Sequence, residues 1–176
     1  MKITYKKLTT AKVTAEIAEA FNKWENDPLL RPLMQPNRNQ ADIDSQNLVS
    51  LDSLKDRLQY CFIYLIYADN NLVGEMNFQT DFIHLYKHEP DTAWLGMGIG
   101  EASARNKGVG TQALAYLEEQ IKQQGLNRIE LGVFEFNKPA LKLYQKRGYQ
   151  EIGRIKDFTY WQGKMWTDIR MEKYLS

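Results

Sequence analysis

The densest chemistry in this sequence lies in Arg105-Asn106-Lys107-Gly108-Val109-Gly110-Thr111. These residues follow an apolar, strand-like run, Trp94 to Gly100, and open an amphipathic one. A strand, a glycine-rich basic turn and a helix start together present free backbone N–H groups to an anion. The first helical turn leaves its donors unpaired, and the macrodipole adds partial positive charge there. Gly108 and Gly110 would let the anion approach without meeting a Cβ, and Arg105 and Lys107 add full charges. This is the chemistry of a pyrophosphate seat, although Gly-x-Gly before a helix also serves as ordinary turn chemistry. The P-loop pattern Gly-x4-Gly-Lys-Ser/Thr is absent. A dinucleotide fingerprint accepts Ala113 in its third position, but its strand would stand near the start of the unit. Here several strand-like runs come first.

A second segment, Asn137-Lys138-Pro139-Ala140-Leu141-Lys142-Leu143-Tyr144-Gln145-Lys146-Arg147-Gly148-Tyr149, narrows the choice. Asn137 is a good N-cap, Pro139 suits a first helical turn, and basic residues followed by Gly148 suit a helix end. Tyr144 stands about two turns after Asn137, so both project from similar sides of one short helix.

With both segments in view, the chain resembles the GNAT superfamily of acetyl-CoA-dependent N-acetyltransferases. Arg105, Gly108 and Gly110 match the family's Gln/Arg-x-x-Gly-x-Gly/Ala. Asn137, Ala140, Leu143, Tyr144, Lys146, Gly148 and Tyr149 match its Asn-x-x-Ala-x-x-Leu-Tyr-x-Lys-x-Gly-Phe/Tyr without a gap. The resemblance covers roughly residues 60 to 175, and the closing run Trp161 to Met171 looks like the ribosomal-protein and polyamine acetyltransferase branch.

The resemblance implies acetyl-CoA as co-substrate, with no metal. Its pyrophosphate would rest on Arg105, Asn106, Lys107, Gly108, Val109, Gly110 and Thr111, and its pantetheine arm on backbone groups of Ile99, Gly100 and Glu101. Asn137, Ala140, Tyr144 and Lys146 would complete the contacts, with Arg147 either near the phosphates or at a solvated helix end. Tyr144 would protonate the departing thiolate, since a phenol and a thiol have comparable pKa values. Read alone, Tyr144 fits better as a packed aromatic whose hydroxyl binds a backbone group. Glu75 could draw the proton from the amine, with Asp91 and His84 as rivals. No Cys-His or Ser-His pairing calls for a covalent intermediate, so the amine would attack directly in a ternary complex. The acceptor would be a protein N-terminus, a polyamine or another small amine. Trp24, Trp94, Tyr160, Trp161 and Trp166 are candidates to line its pocket, and Glu25 and Asp27 to attract it. An aminoglycoside-type acetyltransferase and a non-catalytic acyl-CoA sensor are the competing readings.

These residues need a scaffold. Strands are expected over Ile3 to Leu8, Tyr60 to Tyr67, Leu72 to Phe78, Thr92 to Gly100, around Ile129 to Val133, Tyr149 to Ile155 and Thr167 to Tyr174. Helices are expected over Ala11 to Trp24, Asp52 to Leu58, Thr111 to Gln124 and after Asn137, and Pro32 to Ser50 reads as an irregular surface segment. That order gives an α/β (α+β) mixed sheet with helices on both faces. The resemblance sharpens it to one domain over residues 1–176, with six to seven mostly antiparallel strands splayed at the cofactor. A formal net charge of +1 argues against nucleic acid as a partner. A start without an apolar core, no membrane-length apolar run and one cysteine (Cys61) point to a cytoplasmic protein without membrane contact. A homodimer is left open.

Overall fold

The computed structural model describes all 176 residues. The strands are β1 (Ile3–Lys7), β2 (Phe62–Ala68), β3 (Asn71–Thr80), β4 (Thr92–Ile99), β5 (Arg128–Phe134), β6 (Gln150–Trp161) and β7 (Lys164–Tyr174). The helices are α1 (Ala15–Glu25), α2 (Arg31–Met34), α3 (Gln40–Asp44), α4 (Leu51–Arg57), α5 (Val109–Gln123) and α6 (Lys138–Lys146). One seven-stranded sheet runs in the order β1-β2-β3-β4-β5-β7-β6, and every pairing is antiparallel except β4 with β5. No helix is long and apolar enough to cross a membrane.

Local chemistry accounts for the connections. Asp69 and Asn70 both take positive φ, which the two-residue turn between β2 and β3 requires if the strands are to keep their twist. Gln162 and Gly163 do the same between β6 and β7. Thr14 accepts from the Ile17 N–H to start α1, and Ser50 with Ser53 forms a reciprocal capping box on α4. The expected irregular stretch from Pro32 to Ser50 is more ordered than its composition suggests. It holds α2 and α3, and Asn22 grips both backbone groups of Val49 from α1.

Alternation along the strands divides the molecule into two layers. Met76, Phe78, Ala93, Leu95, Ile129, Leu131, Val133, Ile169 and Met171 turn to the face covered by α5 and α6, where the larger core lies. On the other face, α1 and α4 cover β2 with a smaller core built on Phe21, Trp24, Leu54, Ile63 and Leu65. Farther along that second face the strands carry charge instead of apolar bulk: Glu75, Arg128, Glu130, Asp168 and Arg170 are all buried there. The parallel pairing of β4 with β5 lasts only from Thr92↔Arg128 to Trp94↔Glu130. Beyond that point the two strands diverge, so the sheet is open in its middle.

Candidate active site

The turn ahead of α5 has the form that anion binding needs. Asn106 and Gly108 take positive φ, and Gly108 is the N-cap of α5. The hydrogen-bond ladder begins with the Gln112 N–H donating to the Gly108 carbonyl, so the N–H groups of Val109, Gly110 and Thr111 lie ahead of it as first-turn donors. Asn106, Lys107, Gly108 and Thr111 are exposed. The two glycines serve different ends. Gly108 is needed for its left-handed φ of 77° and has open space where a side chain would go. A Cβ on Gly110 would face inward, in ordinary contact with Leu143 at 3.5 Å. Of the two glycines, only Gly108 therefore has the open space that was expected of both.

Where β4 and β5 part, a cavity of about 840 Å³ reaches both faces of the sheet. From the second face it is lined by Glu75 and Asn77 on β3, Trp94 and Gly96 on β4, and Asp168 and Arg170 on β7. From the α6 side it is lined by Asn137, Ala140 and Tyr144. Asn137 caps α6 by accepting from the Ala140 N–H, which fixes where Tyr144 emerges two turns later.

Both proposed proton carriers are buried and shifted. Glu75 is 8% exposed, and burial pushes its carboxyl up to about 7; a hydrogen bond from Asn77 Nδ2 (3.0 Å) and the charge of Arg57 oppose the rise. A carboxylate with a pKa near neutrality suits a proton acceptor at physiological pH. Burial alone pushes Tyr144 up to about 12, so its phenol is a weaker acid than the sequence reading assumes.

Other expected roles shift on inspection. Arg105 folds back on β4: its Nε donates to the Ile99 carbonyl (3.0 Å) and its Nη2 to the Gly100 carbonyl (2.6 Å). The Glu101 N–H donates to the Val73 carbonyl, and the Glu101 carboxylate accepts from Lys23 and Trp24 on α1. The backbone groups expected to meet the pantetheine arm at Ile99, Gly100 and Glu101 are thus largely engaged within the chain. The edge left without a β5 partner is Leu95 to Ile99. Lys146 is exposed at the end of α6, whereas Arg147 pairs with Glu118 on α5. Asp91 is an exposed turn residue outside the cavity, and His84 lines its mouth.

Of the aromatic candidates, only Trp94 lines the cavity. Trp24 is core, and Trp161 and Trp166 pack with Phe136 elsewhere. Glu25 is held by Arg57, and Asp27 accepts from the Leu29 N–H. Cys61 is half-buried, and burial pushes its thiol up to about 12, as suits an inert packed thiol. Sequence reading missed Asn77, Asp168 and Arg170. Each stands two residues from another polar side chain on the same strand, and that period was the available signal.

Residues 18–149 match the family described as Acetyltransferase (GNAT). Alpha/beta-tubulin-N-acetyltransferase 9 of Homo sapiens is 30% identical over 121 residues, covering 68% of this chain and 54% of that protein. Matched stretches span 30% to 54% of the length of the curated relatives. Among solved structures, a GNAT-family acetyltransferase from Streptococcus pneumoniae superposes with a TM-score of 0.76 at 21% identity, covering 99% of this chain and 100% of that one. The spermidine N-acetyltransferase of Vibrio cholerae, solved with CoA and spermine, gives a TM-score of 0.74 at 16% identity, covering 98% and 95%. At these identities the superpositions show a shared fold.

Proposed function

The chain belongs to the acetyltransferase (GNAT) family, and we propose that it transfers an acetyl group from acetyl-CoA to a primary amine by direct attack in a ternary complex. The observation that carries this reading is the single cavity through the splayed sheet, with Glu75 on one face and Tyr144 on the other. The residues present suit the co-substrate: exposed first-turn donors at Gly108 to Thr111 for a pyrophosphate, and an unpaired β4 edge for an extended amide-bearing arm. Acetyl-CoA would supply an activated thioester carbon. Neighbours solved with acetyl-CoA, or with CoA and spermine, support that choice.

The chain's own groups would then divide the proton work. Glu75, titrating near neutrality, takes a proton from the acceptor's ammonium, so that the nitrogen lone pair can attack the carbonyl carbon. N–H groups along the open β4 edge polarise that carbonyl. As the carbon–sulfur bond breaks, Tyr144 gives its proton to the thiolate. A phenol at about 12 would lose this exchange with a thiolate in water. Here the thiolate would form buried in the same cavity, where desolvation raises its pKa too, which narrows the gap. The acceptor enters from the face opposite α5. The relatives' names, one for tubulin and one for spermidine, point to a peptide amine or a polyamine as the acceptor class.

Isothermal titration with acetyl-CoA, beside CoA and NAD as controls, tests the seat. Micromolar binding of the acyl cofactor and none of NAD is expected, followed by thiol release on adding amines. Folded protein that binds neither coenzyme would overturn the assignment.

A further inference from the structure

The far wall of the cavity holds a carboxylate that the proposed chemistry does not use. Asp168, on β7, is 2% exposed and lines the cavity with Arg170. Its Oδ2 accepts from Arg170 Nε at 2.7 Å, and its Oδ1 has no hydrogen-bond partner. The neighbouring strand is shaped around it: a Cβ on Gly132 would lie 2.7 Å from Oδ2 and 3.0 Å from Oδ1. Arg170 cannot turn to serve the second oxygen. Its Nη1 donates to the His84 carbonyl, it lies 3.6 Å from Glu130, and its guanidinium stacks on Trp94. A buried carboxylate oxygen without a donor is costly, and a ligand N–H removes the cost. Burial also holds the Asp168 carboxyl above the usual range against the pull of Arg170, as expected of a group lacking one donor.

We infer that Asp168 anchors the acceptor by receiving a second N–H donor, an ammonium or an amide, borne by the same molecule whose amine reacts beside Glu75. The inference rests on the proposed transfer only for where the reacting amine sits. It narrows the acceptor from any primary amine to a bifunctional one.

Isosteric pairs test this directly. Putrescine carries a second ammonium where pentylamine has a methyl group, and glycine N-methylamide carries an N–H where glycine methyl ester has an oxygen. Each is titrated calorimetrically into CoA-saturated protein and then assayed with acetyl-CoA. The wild type is expected to bind one donor-bearing member about tenfold tighter than its partner, and the pair that discriminates identifies the donor as ammonium or amide.

In Asp168→Asn, Arg170 retains the amide oxygen, so the NH2 falls where Oδ1 stood and an acceptor becomes a donor. The preference should collapse to within about twofold, while CoA affinity stays unchanged. Should that variant fold poorly, Asp168→Leu with Arg170→Met removes the buried pair without leaving a lone charge and should lose the preference likewise. A wild type indifferent within both pairs, or a preference that survives these variants, overturns the anchor. Binding preference without any acetylation would sink the transferase reading and leave the anchor standing. Acetylation without preference does the reverse.

Discussion

At the scale of single residues, Glu75 is held where its charge is disfavoured, and that has consequences for both rate and stability. Its folded pKa, about 7, lies above the ordinary 4.5, so between those values the folded state binds more protons than the unfolded one. Stability from this group is complete below pH 4.5 and is lost as pH rises through 7. The loss at high pH is on the order of 3 kcal/mol. Glu75→Gln should therefore raise Tm at pH 8 and leave it nearly unchanged at pH 4. The same variant should lower kcat/KM by about a hundredfold and abolish its acid limb near pH 7. A retained limb would remove Glu75 as the base. Tyr144→Phe isolates the other proton. It deletes one hydroxyl that makes no hydrogen bond within the chain, so thermal stability should hold while kcat falls by about a hundredfold and acetyl-CoA affinity stays level. Full activity across the pH range would remove Tyr144 as the acid.

At the scale of elements, the start of α5 separates what a turn needs from what a ligand needs. Gly108 sits at φ 77° in open space, so Gly108→Ala is sterically free but conformationally strained. A stability loss of about 1 kcal/mol and weaker acetyl-CoA binding are expected. Gly108→Asp should bind more weakly still, because it adds negative charge at the seat. Gly110 is helical and inward-facing, so Gly110→Ala should leave stability level or raise it by up to about 1 kcal/mol through helix propensity. Differential scanning fluorimetry and calorimetry separate these outcomes. Equal behaviour of the two glycines would contradict the assigned geometry.

The turn, its helix and the capped α6 were legible in the sequence because each is written by local chemistry: a left-handed glycine, an Asn N-cap, a Pro in the first turn. The seven strands were legible from alternation, although the β6–β7 hairpin runs longer than its hydrophobic pattern suggested. What stayed hidden depends on register and long-range pairing. The pairing of Arg147 with Glu118 and the meeting of Asp168 with Glu75 in one cavity join residues far apart in sequence, and the turn of Arg105 back to the Ile99 and Gly100 carbonyls depends on a side-chain direction that composition does not specify.

At the scale of the whole molecule, a sheet opened in its middle must be held together by something other than strand pairing. Below the opening, the larger core is continuous beneath both halves. Above it, the segment after α2 crosses from one half to the other. Leu33, Met34 and Pro36 line the cavity, and the chain is then fastened to β6 at both backbone groups of Asn37. The Asn37 N–H donates to Thr159 Oγ1 at 2.9 Å, and the Asn37 carbonyl accepts from the Tyr160 N–H at 2.7 Å. Thr159 is fully buried and sits where β6 bulges away from β7, so its hydroxyl serves this crossing rather than the strand ladder.

Thr159→Val keeps the shape and removes the acceptor, leaving a buried N–H without a partner at a cost of about 1–3 kcal/mol. The crossing lines the side of the cavity proposed for the acceptor, whereas the anion seat proposed at α5 lies on the opposite face. The variant should therefore raise KM for the amine several-fold while leaving acetyl-CoA affinity unchanged. Thr159→Ser, which restores the hydroxyl, should recover most of the loss. Equal weakening of both substrates would mean that the crossing supports the fold as a whole rather than one face of the site.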